Sequence, residues 1–282
     1  MKKRILGGLV VVVLFAVVLL AGCSKGEFED GFYFAQQDNF DESSGWKSIV
    51  MFDVENGNIV DVTWTAASRT AGTDKVARSA SGEYGMVTRG GAQAEWYVQA
   101  QRMEQDLLDT QDPTGYTLDA EGNTDAVSGV SIHVSDFLDL VNQALAAGPT
   151  ERGPYKDGAY SAEAADFENG WKDRVDITVV GGRIVAAYWA PFDEEGRDKN
   201  VVSAEGGYPM VENGGAQSPW HVQAELMDEA LLQTQDPAAI ALNNSGGTDA
   251  VSGVSIHVGA FIELAEKALE AVSYTHLRAH ET

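Results

Sequence analysis

The stretch TDAVSGVSIHV occupies residues 124–134 and recurs, letter for letter, at residues 248–258. An internal repeat constrains a fold more tightly than any local pattern, because one sequence period implies one structural unit built twice. The match extends well beyond those letters. Trp46-Lys47 pairs with Trp171-Lys172, Trp64 with Trp189, Lys75 with Lys199, Tyr84 and Met86 with Tyr208 and Met210, and the GGAQ before Trp96 with the GGAQ before Trp220. TQDP stands at 110–113 and again at 234–237. From Gly85 to the motif the offset holds at 124 residues. Solenoid repeats run to roughly 20–50 residues, so each copy is expected to close a core of its own.

Both copies read alike in outline. Each opens on Asp-Gly-x-Tyr (Asp30 to Phe34; Asp157 to Ser161), and a hairpin follows. SIVMFDVENGNIVDVTW sets two alternating apolar runs around Asn56-Gly57, and DRVDITVVGGRIVAAYW does the same around Gly181-Gly182. Such pairs supply the positive φ that a tight hairpin turn needs. A polar loop carrying Lys75 or Lys199 leads to an amphipathic helix with Trp96, Ala100, Met103 and Leu107, or Trp220, Ala224, Met227 and Leu231, on one face. In the second copy Ser218 is the expected cap and Pro219 the first helical residue. After the motif a last helix presents Phe137, Val141, Ala144 and Leu145, or Phe261, Leu264, Ala268 and Leu269. Hairpin-linked strands with helices set apart indicate an α+β chain, a tandem repeat of two small domains, each an antiparallel sheet with flanking helices. The expected bounds are 28–147 and 155–271, joined by the Pro- and Gly-rich linker 148–154.

The ends have a different character. Residues 1–22 run from a basic tip through an unbroken apolar stretch to Ala21-Gly22, the order of an export signal. The Leu20-Ala21-Gly22-Cys23 box resembles the lipobox of bacterial lipoproteins, which implies a diacylglycerol on Cys23, a short tether over 23–27, and an extracytoplasmic domain pair held to a bacterial membrane through the lipid. Residues 272–282, VSYTHLRAHET, break the preceding helical pattern and resemble a translated sequencing adapter. His276 and His280 are therefore not read as ligands, and the natural C-terminus is expected to differ from this one. The net charge of −24 argues against nucleic acid, whose binding needs clustered Lys and Arg. Cys23 is the one cysteine, so disulfide frameworks, iron–sulfur clusters and c-type haem are excluded from the mature domains. No metal site is expected.

The motif gathers hydroxyls and a carboxylate around one glycine, between a loop and a helix, where a missing side chain permits close approach by a ligand or another protein. A hydrolase nucleophile would need Ser131 or Ser128 beside an oriented base, and no Gly-x-Ser-x-Gly elbow is present. A plain structural reading makes TDAVSG a turn and SIHV a short strand, with His133 and His257 packing or capping.

Asp125-Ala126-Val127-Ser128-Gly129-Val130-Ser131, and Asp249 to Ser255 in the second copy, resemble the flavinylation motif Asp-x-x-Ser/Thr-Gly-Ala-Thr/Ser of FMN-binding domains. Those domains occur in sodium-pumping and Rnf-type redox complexes and in extracellular electron-transfer lipoproteins. The resemblance covers nearly the whole of both copies. It implies two covalent FMN groups, joined by phosphodiester bonds to Ser131 and Ser255 and attached by a separate magnesium-dependent flavin transferase that uses FAD. It further implies Asp125, Ser128, Gly129, Asp249, Ser252 and Gly253 as the residues read by that transferase. The chain would then be an electron carrier with no substrate of its own, serving an unspecified donor and acceptor. Valine stands at 130 and 254 where the family pattern has alanine, and serine is the acceptor in place of threonine. Lys75 and Lys199 are expected near the flavin or its phosphate, with solvated loop lysines as the alternative. Trp96, Trp220, Tyr84 and Tyr208 are candidates to stack on the ring, or core aromatics. The competing function is a surface lipoprotein of the same fold, a binding or immunogenic module without covalent flavin.

Overall fold

A computed structural model describes residues 27–270 and 272. The export signal, Cys23, most of the tether and the adapter-like tail lie outside the described residues, Val272 excepted. Val272 continues the second unit: its N–H donates to the Leu269 carbonyl, its own carbonyl accepts from Lys156 N, and its side chain packs on the second core.

The first copy places β1 (Gly31–Gln36), β2 (Trp46–Glu55) and β3 (Asn58–Ser68) in one antiparallel sheet of order β1-β2-β3. Helices α1 (Lys75–Ala80), α2 (Met86–Gly90), α3 (Trp96–Thr110) and α4 (Ser135–Ala147) follow. The second repeats the plan with β4 (Gly158–Glu163), β5 (Arg174–Val180) and β6 (Arg183–Trp189), then α5 (Lys199–Ala204), α6 (Met210–Gly214), α7 (Trp220–Thr234) and α8 (Gly259–Glu270). The α+β reading with two small antiparallel sheets holds. At α7 the expected start is off by one: Pro219 is the cap residue, with φ −60° and ψ 161°, and the helix begins at Trp220.

Local chemistry explains the hairpins. Asn56 and Gly57 take φ of 52° and 76°, and Gly181 and Gly182 take 62° and 75°, the left-handed pair of a two-residue turn. Each turn is pinned by the aspartate of Asp-Gly-x-Tyr. The Asp30 carboxylate accepts from Gly57 N at 2.7 Å, and Asp157 accepts from Gly181 N and Gly182 N at 3.0 and 2.7 Å. The tyrosine of the same motif turns its hydroxyl back to a carbonyl four residues earlier, Tyr33 to Glu29 and Tyr160 to Lys156.

Just past each turn the register slips by one residue. Val54 faces Ile59 and Asp53 faces Asp61, leaving Val60 as a bulge; Val179 faces Ile184 and Thr178 faces Ala186, leaving Val185. The extra residue switches the phase of the strand. Ile59, Val62 and Trp64 thereby share one core, as do Ile184, Ala187 and Trp189 in the other copy.

Strand alternation then divides the sheets into two faces. Val50, Phe52 and Val54 look toward their own helices, and so do Val175, Ile177 and Val179. The opposite faces meet each other: Ile49, Ala67 and Ala71 join Val180, Val185 and Ala186 in a third cluster that belongs to both copies. Thr178 adds a hydrogen bond to the Gly72 carbonyl across it. The linker is bonded to both sheets, through Thr150 N to the Phe32 carbonyl and Gly153 N to the Gly181 carbonyl.

β3 and β6 are edge strands, and α3 and α7 cover their open amides. Trp64 N donates to Glu104 Oε1 at 2.7 Å, and Trp189 N to Asp228 Oδ1 at 2.9 Å. Gln111 and Gln235, each at φ 58°, end these helices in the left-handed conformation. Their carboxamides accept from the Ile59 and Ile184 amides and donate to the same residues' carbonyls, imitating a further strand. The repeated TQDP is thus a helix stop that doubles as an edge clamp.

Candidate functional site

In both copies the motif is a loop that pins its apolar residues and displays its polar ones. Thr124 and Thr248 are buried; each hydroxyl donates to a carbonyl seven residues back, Thr117 or Ala241, and accepts from the amide of Ala126 or Ala250. Ile132 and Val134 enter the first core, Ile256 and Val258 the second. Asp125, Ser128, Gly129 and Ser131 are exposed, as are Asp249, Ser252, Gly253 and Ser255. Gly129 at φ 77° and Gly253 at φ 87° take the left-handed turn that a side chain would strain. Over them lie Arg102, which donates to the Gly129 carbonyl, and Leu226 respectively. The bulk of Val130 and Val254 is directed against the two cores. SIHV forms no strand, contrary to expectation. The loop instead turns into the next helix through Val134 N and Val258 N, bonded to the Gly122 and Gly246 carbonyls, and His133 and His257 are exposed rather than packed.

The serine at the end of the motif is held by a residue the sequence reading passed over. Gln99 is 1% and Gln223 0% exposed. Gln99 Oε1 accepts from Ser131 N at 2.7 Å and from Ser131 Oγ at 3.2 Å; Gln223 Oε1 accepts from Ser255 N at 2.7 Å, Ser255 Oγ at 3.1 Å and Ile256 N at 3.2 Å. The amide nitrogens donate to the Ala94 and Ser218 carbonyls, at 3.0 and 2.8 Å. The signal was present in the sequence: Trp-x-Val-Gln-Ala occurs in both copies, at 96–100 and 220–224.

Ser131 opens on a cleft of about 600 Å³ lined by Trp46, Trp64, Tyr84, Trp96, Lys75, His133 and Asp136. Lys75 and Lys199 are not loop residues, as expected, but the first residues of α1 and α5, after the caps Asp74 and Asp198. Each ammonium sits in an aromatic box. Lys75 Nζ is 4.8 Å from the Trp96 ring centroid, 5.0 Å from Tyr84 and 5.5 Å from Trp46. Lys199 Nζ is 3.6 Å from Trp220, 4.5 Å from Tyr208 and 5.3 Å from Trp171. Burial pushes both amines down to about 8, opposed by Asp136 in the first copy and Asp173 in the second. A ring face attracts a cation strongly once water is excluded, so the boxes hold these lysines, and among the described residues neither makes a direct ion pair.

The aromatics are partly structural. Trp64 meets Trp96 edge-on at 5.0 Å and Phe137 at 5.1 Å, and Trp189 meets Trp220 at 4.9 Å and Phe261 at 5.3 Å. Trp96 and Trp220 therefore belong to the two cores, and Trp96 also lines the cleft. Trp220 Nε1 is buried with no hydrogen-bond partner among the described residues. Asp125, Ser128 and Gly129 do not line the cleft and are exposed. Trp46, Trp171, Asp136 and Asp173 join the site without having been singled out for it.

No family model matches the chain. A 15 kDa lipoprotein of Treponema pallidum is 31% identical over 116 residues, 41% of this chain and 74% of that protein. A protein of Clostridium thermocellum, solved by solution NMR, is 50% identical over 41% of this chain and 91% of its own, at a TM-score of 0.34. The CPE2226 protein of Clostridium perfringens, a crystal structure, is 24% identical over 41% of this chain and 87% of its own, also at 0.34. Among the described residues no helix is long and apolar enough to cross a membrane. On the extent and identity of the first match, the chain belongs to the family of the Treponema pallidum 15 kDa lipoprotein.

Proposed function

We propose that this lipoprotein is an extracytoplasmic electron carrier, anchored through Cys23, that holds one FMN on Ser131 and one on Ser255, each attached by a separate flavin transferase. The observation that carries this reading is the convergence of an exposed acceptor serine, a half-buried lysine and flat aromatic walls on one cleft. Its 600 Å³ falls within the roughly 300–1,000 Å³ of cofactor pockets. The donor set suits FMN: rings for a planar heterocycle, an ammonium for a phosphate or a ring that gains negative charge, a hydroxyl for the linkage. In the second copy the unpartnered indole N–H of Trp220 offers a donor to a ring carbonyl.

When bound, FMN supplies the electron-carrying chemistry. The chain's part is to tether, orient and tune. Ser131 and Ser255 fix one end of the group at a rigid loop. Trp46, Trp96 and Tyr84, with Trp171, Trp220 and Tyr208, exclude water from one side. Lys75 and Lys199 place positive charge where low dielectric strengthens it. Asp125, Ser128 and Gly129, displayed outside the cleft with their counterparts Asp249, Ser252 and Gly253, remain open to a transferase. Val130 and Val254 leave the acceptor unobstructed, because their bulk faces the cores.

The test is co-expression with a cognate transferase and intact mass of the product. Two FMN additions are expected, with Ser131→Ala and Ser255→Ala each removing one. A colourless chain of unmodified mass, from cells in which the transferase modifies its own natural partner, refutes the assignment.

A further inference from the structure

Each acceptor serine is joined to a buried carboxamide by its backbone and its side chain together. The hydroxyl donates its hydrogen to Gln99 or Gln223, so its lone pairs are left for the cleft. These hydroxyl bonds, at 3.2 and 3.1 Å, are longer than the roughly 2.5–3.0 Å of a strong O–H···O bond. The amide bonds at 2.7 Å are firm. One carbonyl oxygen therefore clamps the loop and only steers the hydroxyl. The carboxamide cannot be turned over without loss, since its nitrogen serves the Ala94 or Ser218 carbonyl and its oxygen takes the serine's donors. Both glutamines stand in the first turn of a helix rooted in the core, three residues after Trp96 or Trp220. The same helix face thus sets an aromatic wall and the acceptor in one frame.

We infer that Gln99 and Gln223 are positioning residues for flavin transfer, aiming the serine oxygen at the incoming phosphorus; this rests on the flavin reading above. In that step the serine oxygen bonds to the FMN-side phosphorus of FAD, the pyrophosphate P–O bond breaks, AMP leaves, and the hydroxyl proton passes to the transferase or to water. No electrons change hands. The glutamine is neutral and takes no proton. It holds the hydroxyl in one rotamer and releases it as the new bond forms. Removing it frees the oxygen to point away from the phosphorus, and misplacement on the ångström scale costs on the order of 10- to 100-fold in rate.

The two copies make the experiment internally controlled. The full chain is incubated with transferase, FAD and Mg²⁺, and labelling of each serine is followed by peptide-resolved mass spectrometry, the flanking sequences distinguishing the two motifs. Gln99→Leu is expected to lower the kcat for Ser131 labelling about 10-fold or more, with KM for the chain unchanged and Ser255 labelled at the wild-type rate. Gln99→Glu, whose protonated form keeps the acceptor oxygen and directs an O–H at the Ala94 carbonyl, restores most of the rate when labelling is run at a pH low enough to hold that buried acid neutral, and Gln223→Leu gives the mirror result. Amide hydrogen exchange at Ser131 reports whether the loop stays seated. If the leucine variant unseats it, the glutamate variant decides: full labelling supports the assignment, and labelling as poor as in the leucine variant overturns it. Labelling of Ser131 in Gln99→Leu as fast as Ser255 also overturns it, while leaving the flavin reading intact. A wild-type chain that takes no FMN at either serine removes both.

Discussion

The lysine in each aromatic box has a carboxylate to answer it, but the two copies supply that carboxylate from different places. In the first copy Asp136 reaches the site from the start of α4, on the exposed rim of the cleft, and its counterpart in the second copy is Ala260. In the second copy Asp173 stands beside Trp189, whose indole N–H it accepts at 2.7 Å, and its counterpart is Ser48, which accepts the Trp64 indole at 2.8 Å. The swap shows what has been kept through the drift of the copies. One positive and one negative group persist at the box, while the element that carries the negative one has changed. Its environment has changed too: Asp136 is exposed, whereas Asp173 is half-buried and hydrogen-bonded to an indole. A similar contrast recurs at the bulges, where Val60 is 47% and Val185 0% exposed although both occupy the same turn of the plan.

That contrast yields the largest expected effect. Val185→Asp would bury an unpaired carboxylate where the two sheets meet, at about 3–5 kcal/mol, whereas Val60→Asp should fall within about 0.5 kcal/mol of wild type. Urea unfolding of the two variants measures the difference, and equal midpoints would remove the distinction drawn between the two bulges.

The edge carboxylates come next. Glu104 is pushed up to about 7 by burial, against the hydrogen bond from Trp64 N, which lowers it. Fully buried Asp228 is raised well above the ordinary range, also by burial. A raised folded-state pKa means that the native state holds the proton more tightly than the unfolded chain. The Glu104 contribution is therefore complete below its unfolded value of 4.5 and lost as pH rises through about 7. Glu104→Gln, which still accepts from Trp64 N, should gain on the order of 1–3 kcal/mol relative to wild type at pH 8 and nothing at pH 4. Asp228→Asn should show the same sign. Denaturation at the two pH values reads it, and a gain at pH 4 equal to that at pH 8 would contradict the assigned cause.

A smaller effect tests the counterion swap directly. Lys75 and Lys199 should both titrate near 8 when followed by NMR of the Nζ groups. Asp136→Ala should lower Lys75 alone and Asp173→Ala Lys199 alone, with the larger fall at Lys199 because its partner is less screened. The smallest effect concerns the exposed pair Arg69–Glu225, which joins the two copies at 3.1 Å with both side chains about half exposed. Arg69→Ala should cost less than about 1 kcal/mol, marking the third apolar cluster rather than this bridge as what holds the copies together.

How far the sequence disclosed this molecule depends on which physics a residue obeys. The hairpins, the helices and the pairing of copies follow from local rules, since Asn56-Gly57, Gly181-Gly182 and the apolar stripes act on their nearest neighbours. Lys75 was misplaced in a loop because a short helix capped by Asp74 has too few turns to show a period. SIHV alternates like a strand, yet among the described residues no strand pairs with it, and pairing is a tertiary fact. Gln99 and Gln223 escaped notice because a glutamine on a helix reads as solvent-facing until the loop above it is in place. Repetition alone did not rank the motifs: TQDP recurs as faithfully as part of TDAVSGVSIHV, and its Gln111 and Gln235 clamp an edge.

The shared cluster of Ile49, Ala67, Ala71, Val180, Val185 and Ala186 carries an evolutionary consequence. A newly doubled gene can lose either half at no cost, because each half still folds as its ancestor did. Once these six positions had turned apolar, deletion of one half would leave a greasy sheet face open to water and prone to aggregate. The shared face thus ties the solubility of each half of this chain to the presence of the other.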